Sequence, residues 1–212
     1  MKNKIISTLI LLSVCLSNNE SELIKQVYEN YRYVILNDSG DNAAKYFDNN
    51  SIKWYSDILY HIKNASRDDV NKLNIIQKFT VLIVRGLATE DQISSFDAKS
   101  LIVFIINNGL IDKGSVEGKS INNIIINDQF ASAEILLNGK NNNSKVEFRK
   151  ENEKWKLDFT SLINSPMVQK SFDQILEQII ESNESVNNKM DAIYFSLKMT
   201  PNVDINKIWK TI

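Results

Sequence analysis

The stretch "EKWKLDFTSL", residues 153–162, decides how this chain folds. Trp155, Leu157 and Phe159 alternate with Lys156 and Asp158, a period of two that sends one set to each face of a β-strand. One apolar and one charged face suit an antiparallel sheet covered on a single side. Trp155, Leu157 and Phe159 are therefore expected in the core, with Lys156 and Asp158 on a salt-bridged solvent face.

The same period extends upstream. "KVEFRK" (145–150) precedes the turn signal Glu151-Asn152-Glu153, and "INNIIIND" and "QFASAEILLNG" flank Asn127-Asp128. These make four strands beginning at Ser120. Before Ser120 the spacing is helical. Leu23, Ile24, Val27, Tyr28, Tyr31, Val34 and Ile35 share one stripe, with Asn19 and Glu22 at cap and N3 positions and Asp38-Ser39-Gly40 as the stop. A short helix follows around Ala43, Ala44 and Phe47, and a third starts at Ser51 with Ile52, Tyr55, Leu59 and Ile62 on one face. Ser66 with Asp69 opens a fourth helical region reaching Leu87. Asp97 caps a fifth, which ends at Gly109, where a left-handed residue is wanted. Ser165-Pro166 starts a C-terminal helix, followed by helical pieces at Met190 to Leu197 and Ile205 to Trp209. The expected fold class is α+β: helices on one face of a roughly four-stranded antiparallel sheet, with a helical tail over residues 164–212.

Composition sets the limits. The 212 residues are 43% hydrophobic and 24% charged, an ordinary globular balance. Lys and Arg number 25 against 26 Asp and Glu, for a net charge of −1, and no basic block forms. That speaks against a nucleic-acid partner. No glycine-rich phosphate loop, HExxH, GxSxG or EF-hand spacing occurs, so no cofactor is expected.

The amino terminus reads as an export signal spanning residues 1–19. Lys2 and Lys4 precede an apolar run from Ile5 to Val14, and Ser17, Asn18, Asn19 and Glu20 form a polar exit. The run is short of the ~20 apolar residues a membrane-spanning helix needs. Leu12-Ser13-Val14-Cys15 resembles a bacterial lipobox, which implies lipidation of Cys15 and a membrane anchor. The other readings are ordinary cleavage after Cys15 or Ser17, releasing a soluble periplasmic or secreted protein, and an amphipathic first helix of the fold. Cys15 is the only cysteine, so no intramolecular disulfide and no cysteine metal site can form.

The leading helix, "GDNAAKYFDNNSIKWY", the helical middle and the hairpins ending in "ENEKWKLDFTSL" together resemble the nuclear-transport-factor-2-like (cystatin-like) superfamily, in particular its exported bacterial members. The resemblance covers residues 20–163. It implies a cone of helices and sheet whose mouth holds small apolar ligands, and in some members an isomerase or dehydratase site using Asp or His.

Few residues offer such chemistry. His61 is the only histidine, with Asp57 one turn before it, so an Asp57–His61 dyad is one reading and an ordinary surface pair the other. Arg85 lies inside "FTVLIVRGLA" and would either grip an acidic ligand or tie helices together. Tyr31 and Tyr55, among a crowd of tyrosines that includes Tyr28, Tyr33, Tyr46 and Tyr60, are candidates for a ligand pocket. Two functions follow. The first is an exported, lipid-anchored envelope protein that binds a small apolar ligand or another envelope protein without catalysis. The second is a small-molecule isomerase or hydrolase-like enzyme using Asp57 and His61.

Overall fold

In the computed structural model the alternation around Trp155 forms β4 (Lys154–Asp158), the last strand of a four-stranded antiparallel sheet in the order β1-β2-β3-β4. The structure describes residues 2–37, 40–111 and 113–211, with side chains from residue 19 onward. β1 (Lys119–Asn127), β2 (Phe130–Leu137) and β3 (Lys140–Glu151) precede β4 as successive hairpins. The β2–β3 turn, Asn138-Gly139, and the β3–β4 turn, Asn152-Glu153, hold all four residues at positive φ, from 49° to 77°. Two-residue hairpins need that conformation to follow the right-handed twist of their strands. β1 carries a bulge between Asn122 and Ile125, with Asn123 at φ 47°.

The chain separates into two compact units, each built from two stretches of sequence. Unit 1 comprises Met1–Asn49 and Ile106–Leu162, and unit 2 comprises Asn50–Ile105 and Ile163–Ile212. The tail expected as a separate extension thus groups with the helical middle of the chain.

In unit 1, α1 (Lys2–Leu36) lies against β1 and β4. Ile24, Tyr28, Tyr31, Val34 and Ile35 are buried along the helix, and Ala131, Ala133, Ile135, Val146, Phe148, Trp155 and Leu157 along the sheet. The expected α1 stripe is buried at these five positions, but Leu23 is exposed and Val27 half-buried. Its expected cap is corrected: the helix runs through Asn19, which therefore caps nothing. Asp38 and Ser39, expected as the stop, lie outside the described residues, and the helix ends at Leu36. A 3-10 turn over Gly40–Tyr46 follows. Phe47 then pairs in parallel with Leu157, and the Asp48 amide donates to the Leu157 carbonyl at 3.0 Å.

The register of β4 is as read, with Trp155 and Leu157 buried. Two details differ. Phe159 is buried but begins α7 (Phe159–Ile163) instead of ending the strand. Asp158 is not on a solvent face; it is 3% exposed. It sits where the strand gives way to the helix, and its carboxylate caps α7 by accepting from the Ser161 amide at 3.1 Å and from the Thr160 hydroxyl.

Unit 2 holds α2 (Asn49–Asn64) from its second residue on, α3 (Arg67–Lys72), α4 (Ile75–Leu87), α5 (Glu90–Ser95), most of α6 (Ala98–Asn107), α8 (Pro166–Ser182) and α9 (Lys189–Met199). The helical region expected from Ser66 to Leu87 is two helices. Ser66/Asp69 opens the first as a capping box, and Asn74/Gln77 forms a second box that breaks the run. Asp97 caps α6 through the Ser100 amide at 2.7 Å, and Gly109, at φ 67°, closes it. The stretch expected as a last helix, Ile205 to Trp209, is a series of turns. It packs on α4, with the Asp204 amide donating to the Gly86 carbonyl at 2.9 Å.

Candidate functional site

His61 and Asp57 both lie on α2, one turn apart, and the structure gives each a different neighbour. The Asp57 carboxylate pairs with Lys53 at 2.8 Å on an exposed face of the helix. His61 is half-buried, its ring 5.7 Å from that of Tyr60. Among the described residues no hydrogen bond joins Asp57 to His61.

Arg85 is 1% exposed, as its apolar flanks suggest. Its Nε donates to the Ile62 carbonyl at 2.8 Å, and its Nη2 to those of His61 at 2.9 Å and Ala65 at 2.8 Å. A longer bond of 3.4 Å runs from Nη1 to the Ile208 carbonyl. The first three acceptors are carbonyls at or just past the C-terminal turn of α2, at the negative end of the helix dipole; the His61 carbonyl also accepts from the Ala65 amide at 3.0 Å. Burial lowers the guanidinium pKa to about 10. The cleft beside it, lined by Arg85, Ala88, Glu90, Ile93, Lys207 and Lys210, has about 10 Å³ of space. That is room for about one water molecule and too little for an organic ligand.

The tyrosines fall in different units. Tyr31 belongs to an aromatic chain in unit 1, 5.8 Å from Phe47, which is itself 5.3 Å from Phe159. Burial raises the pKa of its phenol, and that of Tyr28 to about 12. Tyr55 is buried in unit 2 against Trp54, with ring centres 5.0 Å apart. Tyr33 and Tyr60 are exposed. Cys15 lies outside the residues whose side chains are described.

A cluster that the sequence did not single out lies on the sheet of unit 1. Arg149 of β3 is 34% exposed at its side chain, and its Nε stands 3.1 Å from Asp158 Oδ2 and 3.2 Å from Asp48 Oδ2. Both carboxylates are buried. Asp48 occupies the position before α2 and Asp158 the position before α7, where an acid favours the helix N-terminus. The Phe130 ring covers the guanidinium at 4.9 Å. Arg149 alternates with Val146 and Phe148 and each aspartate precedes a helix, but nothing along the chain ties Asp48 to Arg149.

No family model, curated protein or solved structure matches this chain.

The chemistry available is therefore what the residues themselves carry. Among the described residues no group of three or more His, Cys, Asp or Glu side chains is arranged to hold a metal ion. No described helix is long and apolar enough to cross a membrane. Arg85 donates to backbone carbonyls, Asp57 accepts from Lys53, and Asp158 accepts from Arg149 and the first turn of α7. Arg149 alone among these presents donors outward, because neither Nη1 nor Nη2 forms a hydrogen bond with a described residue.

Proposed function

We propose that this chain is an exported cell-envelope protein, anchored by a lipid on Cys15, that acts as a non-catalytic binding module for a small ligand or another protein, on a nuclear-transport-factor-2-like scaffold. The observation that carries the non-catalytic part is the state of the acid–base candidates. General acid–base catalysis requires a titratable group held in a pocket and aimed at substrate. Asp57 is solvent-facing and paired with Lys53, and among the described residues no hydrogen bond joins it to His61. The anchor rests on the lipobox-like Leu12-Ser13-Val14-Cys15 and the polar tether after it.

Two measurements test this. An alkyne fatty acid fed to cells should label the wild type and leave Cys15→Ala unlabelled; a chain that is unlabelled and begins at Leu16 or Asn18 would remove the anchor. Native mass spectrometry of protein purified from its host should show a bound ligand or partner. Turnover of any substrate that His61→Ala abolishes without unfolding the protein would replace the binding reading with an enzymatic one.

A further inference from the structure

We propose that unit 1 stands on the lipid surface by one end of its sheet, the end carrying the β1–β2 and β3–β4 turns, with the β2–β3 turn pointing away from the membrane. This deepens the reading above and rests on its anchor at Cys15.

The course of α1 sets the direction. The Glu20 carboxylate meets the Lys150 ammonium at 2.6 Å. Lys150 pairs with Trp155 beside the β3–β4 turn, and its amide donates to the Gln129 carbonyl in the β1–β2 turn at 2.8 Å. Further along the helix, Arg32 Nε donates to the Val116 carbonyl at 3.3 Å, just ahead of β1. β1 opens at Lys119 opposite Leu137, next to the β2–β3 turn. The helix therefore runs along the sheet from one end to the other, and the chain before Glu20 leaves unit 1 at the end of the β1–β2 and β3–β4 turns.

The tether is short and has no hinge. Only Leu16 to Asn19 separate Cys15 from Glu20, and no glycine or proline lies between Cys15 and Glu22. The backbone is helical across them, a rise of about 7.5 Å from Cys15 to Glu20, and full extension would give only about 17 Å. β2 alone, with 8 residues, is about 27 Å long, so the near end of the sheet is held at the lipid and the far end is held off it. Charge has little part in this contact. Lys150 is shared by Glu20 and Glu153, Glu151 accepts from the Asn49 amide at 2.8 Å, and Arg149 is held by Asp48 and Asp158. The anchor supplies the affinity by keeping this end concentrated at the surface, as a second binding site on a short linker would. Leu23, one turn from Glu20, and Phe130, next to Gln129, are exposed at the same end, and apolar side chains of this kind settle at headgroup depth.

Cys15 is the only cysteine, so the full chain can be joined at that thiol to a maleimide lipid in phosphatidylcholine nanodiscs doped with a gadolinium-chelating lipid. The anchor is then imposed at its proposed position, whatever cells attach there. Paramagnetic broadening falls with the sixth power of distance, so over the length of β2 the amides of Gln129 and Asn152 should broaden at least about tenfold more than those of Asn138 and Gly139. Equal broadening at the two ends, the reverse gradient, or no broadening at either end of the joined protein would overturn the proposal. Absence of fatty-acid labelling in cells would instead remove the anchor itself, so a failure of the orientation and a failure of the reading it rests on are seen in different experiments.

Discussion

Replacing Arg85 by methionine removes the donors from four backbone carbonyls at once. Three of those bonds are 2.9 Å or shorter, to His61, Ile62 and Ala65, and the fourth, to Ile208, is 3.4 Å. A buried carbonyl left without a donor costs about 1–3 kcal/mol. The His61 carbonyl keeps the Ala65 amide as a donor, so the carbonyls of Ile62 and Ala65 set an upper sum of roughly 6 kcal/mol, and neighbouring losses share relaxation and are not additive. Methionine also spares the cost of holding a cation out of water, the same cost that lowers the guanidinium pKa to about 10. The expected net loss is about 2–4 kcal/mol, a large part of a typical domain's stability. With a urea dependence of about 2 kcal/mol per molar, the midpoint should fall by about 1–2 M. Arg85→Lys keeps the charge but has no planar fork, and should lie between wild type and Arg85→Met. A midpoint for Arg85→Met within about 0.3 M of wild type would refute the argument that this side chain terminates α2.

Gly86→Ala would bring its Cβ within 2.6 Å of a Val203 methyl and 3.2 Å of an Ile208 methyl. A thermal melt should show about 1–3 kcal/mol of destabilisation that Val203→Ala largely recovers, and no recovery would mean the tail does not rest on Gly86. Trp155 is buried, and its indole N–H has no acceptor among the described residues. Trp155→Phe discards that donor and should cost no more than about 1 kcal/mol, against about 3–5 for Trp155→Ala; equal losses in urea denaturation would contradict this. The Ser66 hydroxyl and Lys72 hold the Asp69 carboxyl down at about 2. A depressed acid stabilises the fold above its ordinary value and loses that contribution as pH falls toward 2, so Ser66→Ala should move the Asp69 midpoint upward in a carbon-13 NMR titration. The Tyr28 phenol is raised to about 12 by burial, so its contribution is full below pH 10 and is lost as pH climbs through 12. Ultraviolet titration should find this phenol ionising only as the protein unfolds in alkali.

What could be read in the sequence was local. The period of two through Trp155 and Leu157 located β4, and the four strands followed from turn residues within a few positions of one another. Ser66/Asp69 and Ser165-Pro166 announced their helices for the same reason, since a cap is made by neighbours. The Asn74/Gln77 and Thr89/Gln92 boxes have the same spacing but lie in or beside an apolar run, where the stripe of hydrophobic residues masks the break. Asp158 misled because alternation describes a strand and Asp158 is also the first cap of a helix. Arg85 could be read as buried, but its acceptors come from α2 and from Ile208, and nothing along the chain ties residue 85 to residue 208. Arg149 was hidden similarly: Asp48 is brought to it by the parallel pairing of Phe47 with Leu157, a contact without a periodicity of its own.

The two units are interleaved in order of synthesis. Unit 1 needs Ile106–Leu162 to complete what Met1–Asn49 begins, and unit 2 needs Ile163–Ile212, made after the whole of unit 1. A chain emerging at about 5–20 residues per second therefore spends several seconds with α1 made and its sheet still missing. For the same reason no single cut yields either unit as a contiguous fragment, so a fragment stopping at Ile105 would expose the α1 stripe to chaperones and proteases.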